Sequence, residues 1–195
     1  NNKPDVFMER FGWYKIERHD EMKLLLPKHG HPLKYFVEPV VKVVNYLKHS
    51  YDYSVIGMTG LSGGGWTTII YSAIDERISQ SYSVAGSYPL HLRYETKNLG
   101  DYEQTNPNIY RISNYLELYT MSSFGNDRKL VQLFIYNDPC CFQAELYEKF
   151  PYGNAIQDRL EILGDEGKFS VFLDNSTNQH EISEHTLSLI LDEMS

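Results

Sequence analysis

Residues 53–65 read Tyr53-Ser54-Val55-Ile56-Gly57-Met58-Thr59-Gly60-Leu61-Ser62-Gly63-Gly64-Gly65, a β-type run ending in Gly-x-Ser-x-Gly. A helix-type run, Thr67 to Ile78, follows at once. A strand that turns through this pattern straight into a helix forms a nucleophile elbow, in which the serine backbone is strained and its hydroxyl stands clear of the sheet. Residues two before and two after the serine are expected to crowd neighbouring backbone, which calls for glycine at Gly60 and Gly64. Two phosphate-binding readings compete for the same glycines, and both fail. A P-loop needs lysine where Trp66 stands, and Gly-x-Gly-x-x-Gly needs glycine at Ser62 or Thr59.

Outward from the elbow, the chain alternates. Pro39 to Lys48 carries Val40, Val41, Val43, Val44 and Leu47 near helical spacing, with Pro39 placed for a first turn. Tyr53 to Thr59 is the first predicted strand of the sheet and Ser81 to Ala85 the second. A polar loop around Asn98 to Asn108 leads into a helical stretch from Tyr110 to Phe124. Leu130 to Tyr136 resumes as a strand, Cys141 to Phe150 and Ala155 to Leu163 read as helices, Phe169 to Leu173 as the last strand, and Ile182 to Met194 as a closing helix packed through Ile182, Leu189, Ile190 and Met194. Strand and helix in alternation imply an α/β fold, a three-layer sandwich around a mostly parallel sheet. One domain, 1–195, is expected, with 90–129 as a lid or pocket insertion.

The net charge of −8 over 195 residues argues against nucleic acid or anionic membrane as the main partner, since both want a basic surface. No stretch approaches the roughly 18 apolar residues of a membrane span, so a soluble protein is expected. Asn1-Asn2-Lys3-Pro4-Asp5 has neither an initiator methionine nor a signal-peptide pattern, and the chain is expected to be cut from something longer. Cys140 and Cys141 are adjacent, a spacing that suits free buried thiols better than a disulfide.

In an open α/β sheet, working side chains gather on loops at the C-terminal strand ends. Ser62, Asp138 and His180 each follow a predicted strand there, in the order that accompanies this elbow. A serine hydroxyl needs a base to take its proton, a role suited to His180. Asp138 would hold the imidazole tautomer and stabilise its cation, and the Gly63 N–H would donate to a developing oxyanion. The competing reading of Asp138, before Pro139, is a turn former. Asp101 and Glu103 are alternative acids, since a carboxylate from the preceding strand can reach the same imidazole, whereas Asp174 at a strand end reads as a cap. His185 is expected to point away from the loop. His19, His29, His31, His49 and His91 fall outside the expected order, and His29-Gly30-His31 is a weak metal or oxyanion signal.

Gly60-Leu61-Ser62-Gly63-Gly64, Tyr136-Asn137-Asp138 and His180-Glu181-Ile182-Ser183 together resemble the α/β-hydrolase superfamily, in particular its dienelactone-hydrolase-like and acetyl-esterase-like serine hydrolases, from about Leu33 onward. The resemblance implies an acyl-enzyme on Ser62, Asp138 as acid, His180 as base, a small-molecule ester substrate and no cofactor. Members carry four earlier strands, including the loop that donates the second oxyanion N–H, and residues 1 to 32 cannot hold them. One exposed sheet edge and an incomplete oxyanion hole are therefore expected. A peptidase of the prolyl-oligopeptidase kind uses the same three residues, and a non-catalytic module on the same scaffold is the second class of reading.

Overall fold

The computed structural model describes residues 3, 5–25 and 30–194. A hairpin opens it, β1 (Asp5–Met8) against β2 (Gly12–Lys15), antiparallel and separate from the main sheet. A 3₁₀ turn (His19–Leu25) precedes α1 (Lys34–Ser50). Then come β3 (Gly57–Leu61), α2 (Gly63–Ile74) and β4 (Gln80–Val84). Short turns at Leu90–Leu92 and Thr96–Asn98 lead to α3 (Tyr102–Thr105), α4 (Pro107–Tyr110) and α5 (Tyr115–Ser123). The remainder is β5 (Lys129–Ile135), α6 (Ala144–Lys149), α7 (Gly153–Ile162), β6 (Lys168–Asp174) and α8 (Glu184–Met194).

The main sheet runs β3-β4-β5-β6, every pair parallel. β5 explains its position by composition. Leu130 to Ile135 are all buried, as a central parallel strand covered on both faces requires. Its even positions, Leu130 and Phe134, pack with Trp66 and Ile69 of α2, Leu118 of α5 and Ile156 of α7. Its odd positions, Val131, Leu133 and Ile135, pack with Ile190 of α8. Helices thus lie on both faces, giving the three-layer α/β architecture. Full burial of each large apolar side chain contributes roughly 1.5–3 kcal/mol. Among the described residues β3 and β6 are the two edge strands of this sheet. No helix among them is long and apolar enough to cross a membrane.

Several boundaries differ from the sequence reading for identifiable reasons. α2 begins at Gly63, four residues earlier than its apolar pattern, and it contains Gly63-Gly64-Gly65 despite their low helix propensity. The packing demands this. A Cβ on Gly65 would stand 2.7 Å from the Val84 carbonyl oxygen and 2.9 Å from Gly86 Cα, and one on Gly60 would stand 2.4 Å from Gly64 backbone. Gly64 corrects the expectation, because a Cβ there meets nothing within 4 Å. α1 begins five residues before Pro39, which lies inside it and denies Tyr35 its carbonyl partner. The early turn is held by packing instead: Leu33 is buried and Phe36 meets Trp66 edge-on at 5.5 Å. The single helix expected over Tyr110 to Phe124 is two. Asn114 restarts the chain with a full capping box, accepting from Leu116 and Glu117 N–H while Glu117 accepts from its own.

Candidate active site

Ser62 joins β3 to α2 at φ 57°, ψ −118°, a conformation of the kind that costs roughly 1–3 kcal/mol. Two backbone bonds hold it there. Its N–H donates to Val84 at 2.8 Å, and Trp66 N–H donates to its carbonyl at 2.9 Å. The hydroxyl makes no capping bond to α2. Gly63 follows as the first helical residue, where backbone N–H groups have no partner inside the helix.

Asp138 follows β5 and is fully buried. Its Oδ1 accepts from Cys140 N–H at 2.7 Å and Cys141 N–H at 3.3 Å, so the turn-forming role is real. Both its oxygens also face His180 Nδ1, at 3.0 and 2.8 Å. The same turn presents the carboxylate to the imidazole. The loop is fixed by Asn98 Oδ1, which accepts from Phe142 N–H at 2.7 Å, and by Gln143 Nε2, which donates to the Asp138 carbonyl. Asn137 Nδ2 donates to Asn178 Oδ1 and ties this loop to the one bearing His180.

His180 follows β6 with its side chain 22% exposed. Opposite a carboxylate, which only accepts, Nδ1 is the donor of this pair. No hydrogen bond joins His180 to Ser62 Oγ among the described residues; the imidazole's bonds go to Asp138. Asp174 is the cap it was expected to be. It accepts from Ser176, Ser183 and Thr186 and anchors the His180 loop to α8. Burial raises its pKa, but these donors outweigh burial and leave it lowered.

Asp101 and Glu103, the alternative acids, pair with a different histidine. His19 Nδ1 lies 3.1 Å from Asp101 Oδ2 and 3.0 Å from Glu103 Oε1. Hydrogen bonds to Asp101 and then Glu103 raise the His19 pKa to about 10, against the opposing pull of burial. The cluster adjoins the elbow: from the place a Gly63 Cβ would occupy, His19 Cε1 is 3.6 Å away and Glu103 Oε1 3.8 Å. Sequence reasoning missed His19 here because the pairing spans 84 residues and leaves no local pattern. His31 is occupied with Tyr102 and Asn106, and His29 lies outside the described residues. His185 is the second residue of α8, its ring 5.4 Å from Phe172. His49 lies in the last turn of α1, and His91 is exposed in the Leu90–Leu92 turn.

Tyr115 and Tyr119 belong to the core, Tyr110 donates to the Glu103 carbonyl, and Tyr94 is exposed. Cys140 is exposed and Cys141 buried, both free, which corrects the expectation of two buried thiols. A groove of about 690 Å³ between α5 and α7, lined by Ile112, Leu116 and Leu163, and a second of about 570 Å³ at the end of α2 contain none of Ser62, Asp138 or His180. Ser62, Asp138 and His180 instead follow β3, β5 and β6, strands of one parallel sheet.

No family model matches the chain, and no curated protein matches it. Solved structures share its fold. A glucuronoyl esterase from Solibacter usitatus superposes with a TM-score of 0.57 at 13% identity, over 86% of this chain and 51% of that one. Acylaminoacyl peptidase from Pyrococcus horikoshii gives 0.55 at 17%, over 82% and 26%. Est1E from Butyrivibrio proteoclasticus gives 0.52 at 12%, over 80% and 66%. The chain therefore spans between a quarter and two thirds of the length of these proteins. It has the α/β-hydrolase fold, shared with an esterase and with a peptidase.

Proposed function

We propose that the chain is a serine hydrolase that cleaves a carboxylic ester through an acyl-enzyme on Ser62. The observation that carries the reading is the 2.8 Å pairing of His180 Nδ1 with buried Asp138 on strand ends that share a parallel sheet with the Ser62 elbow. Ser62 Oγ attacks the ester carbonyl as its proton passes to His180 Nε2. Asp138 stabilises the imidazolium, and the Gly63 N–H donates to the tetrahedral oxyanion. Collapse expels the alcohol with the proton from His180. Water then repeats the sequence on the acyl group, with His180 again as base. Ser62 and His180 close to hydrogen-bond distance in the substrate complex, since such bonds are often long in unliganded sites.

His19 is a rival for position but not for the base. With a pKa of about 10 it is protonated at neutral pH and cannot accept the serine proton. A peptidase reading uses the same acyl chemistry on an amide, and the similarity to the acylaminoacyl peptidase favours keeping it as the second reading. Turnover of p-nitrophenyl esters beside peptide anilides, with the full-length protein and its Ser62→Ala variant, separates them. Esters should be cleaved, and the Ser62→Ala variant should be inert. Preference for anilides would move the assignment to a peptidase, and turnover that survives the substitution would overturn both.

A further inference from the structure

His180 has two further neighbours that the hydrolytic reading does not use. One donor atom each from Cys140, Cys141 and His180 lies within 4.8 Å of the other two. Both cysteines are free thiols, Cys140 open to solvent. The set is two sulfurs and one imidazole nitrogen, the composition that selects zinc-class cations over calcium or magnesium. Zinc–sulfur and zinc–nitrogen bonds of about 2.3 and 2.0 Å put two sulfurs and a nitrogen roughly 3.5–3.8 Å apart in a tetrahedron. None of the three gaps exceeds 4.8 Å, so each closes by at most about 1.3 Å when the ion binds. The support around the set is also of the right kind. Asp138 orients the imidazole through Nδ1, the carboxylate–histidine arrangement found behind metal-bound histidines. The same Asp138 oxygen fixes the backbone of both cysteines.

We infer that Cys140, Cys141 and His180 bind a thiophilic divalent cation of the zinc class, and that the bound ion withholds His180 from Ser62. The exclusion follows from valence. A neutral imidazole has one lone pair, and that pair either ligates the metal or takes the serine proton. Three protein ligands leave the fourth position to water. On binding, the two thiols release their protons to solvent as thiolates, and no oxidant or reductant is needed. The inhibitory half of the inference rests on the serine-hydrolase reading; the metal site does not.

The two halves are tested separately. Cd²⁺ is titrated into the full-length protein kept reduced, with the thiolate-to-metal absorption as readout. One equivalent should bind. Cys140→Ser should abolish the band, and His180→Ala should weaken affinity by at least 10- to 100-fold, the loss typical of groups that merely support a ligand. Absence of the band, or a band indifferent to His180→Ala, would overturn the site whatever the protein hydrolyses. Zn²⁺ is then titrated into the ester assay, each protein being compared with its own metal-free rate. Wild type should be inhibited and recover with EDTA, while Cys140→Ser should need at least tenfold more zinc. Equal sensitivity of the two would overturn the inhibitory half. Cys140 is exposed, so its substitution leaves folding intact, and circular dichroism of each variant checks this.

Discussion

Two histidines in this molecule are each held at Nδ1 by acid, and they differ in how many carboxylates do the holding. His180 faces one, the buried Asp138, whose remaining bonds go to backbone N–H groups. His19 lies between two, Asp101 and Glu103, and its pKa rises to about 10. At that value about one imidazole in a thousand is neutral at pH 7. The second carboxylate keeps the proton on His19 and turns that ring into a fixed cation. Proximity to the elbow therefore does not select the base. His19 adjoins Gly63, yet a ring held as a cation has no lone pair to offer.

The sharpest way to break this comparison is to remove each ring in turn. His180→Ala should lower ester turnover by roughly 10⁴-fold or more, and Asp138→Asn by a similar factor. His19→Ala and Asp101→Asn should each stay within about tenfold of wild type. Initial rates on a p-nitrophenyl ester measure all four, and a larger loss at His19 than at His180 would reverse the roles assigned here.

The comparison also assumes a rigid elbow between the two rings. Gly65→Ala drives a methyl into the Val84 carbonyl and Gly86 and should cost about 1–3 kcal/mol in denaturant unfolding. Gly64→Ala, with open space at its Cβ, should be neutral or stabilising by up to about 1 kcal/mol, since alanine is the better helix former. Equal costs at the two positions would contradict the packing described.

The smallest effect is at His19 itself. Removing it leaves buried Glu103 without its partner and should cost about 1 kcal/mol, the low end for a buried acceptor because the histidine side chain is 46% exposed. Its folded pKa lies above its ordinary value, so this contribution is complete below about pH 6.5 and is lost as pH rises through about 10. Thermal melts of wild type and His19→Ala should converge as pH rises from about 6.5 to about 10, and Glu103→Gln should recover stability in the His19→Ala background. A gap that widens with pH would contradict the ion pairing.

Much of this was legible in the residues because the governing signals are local. Gly-x-Ser-x-Gly between a strand and a helix gave the elbow, and the alternation of apolar runs gave the four parallel strands to within a few residues, except the start of β3. The Asn114-x-x-Glu117 capping box was equally local and was overlooked in favour of a continuous helical period. What could not be read was long-range. Leu33 and Phe36 start α1 ahead of Pro39 through contacts with the core, and Gly65 rather than Gly64 is crowded because β4 and Gly86 lie against it. Asp101 and Glu103 were visible as carboxylates near the right strand end. Only the fold reveals that they face His19 and leave Asp138 to His180.

The central claim is that Ser62 is a nucleophile activated by His180, and covalent labelling addresses it most directly. A fluorophosphonate probe should modify the full-length protein at Ser62, with the adduct mapped by peptide mass spectrometry. His19→Ala should label at a similar rate, and His180→Ala at least 100-fold more slowly. An adduct elsewhere, no adduct at all, or labelling that His180→Ala leaves unchanged would contradict it.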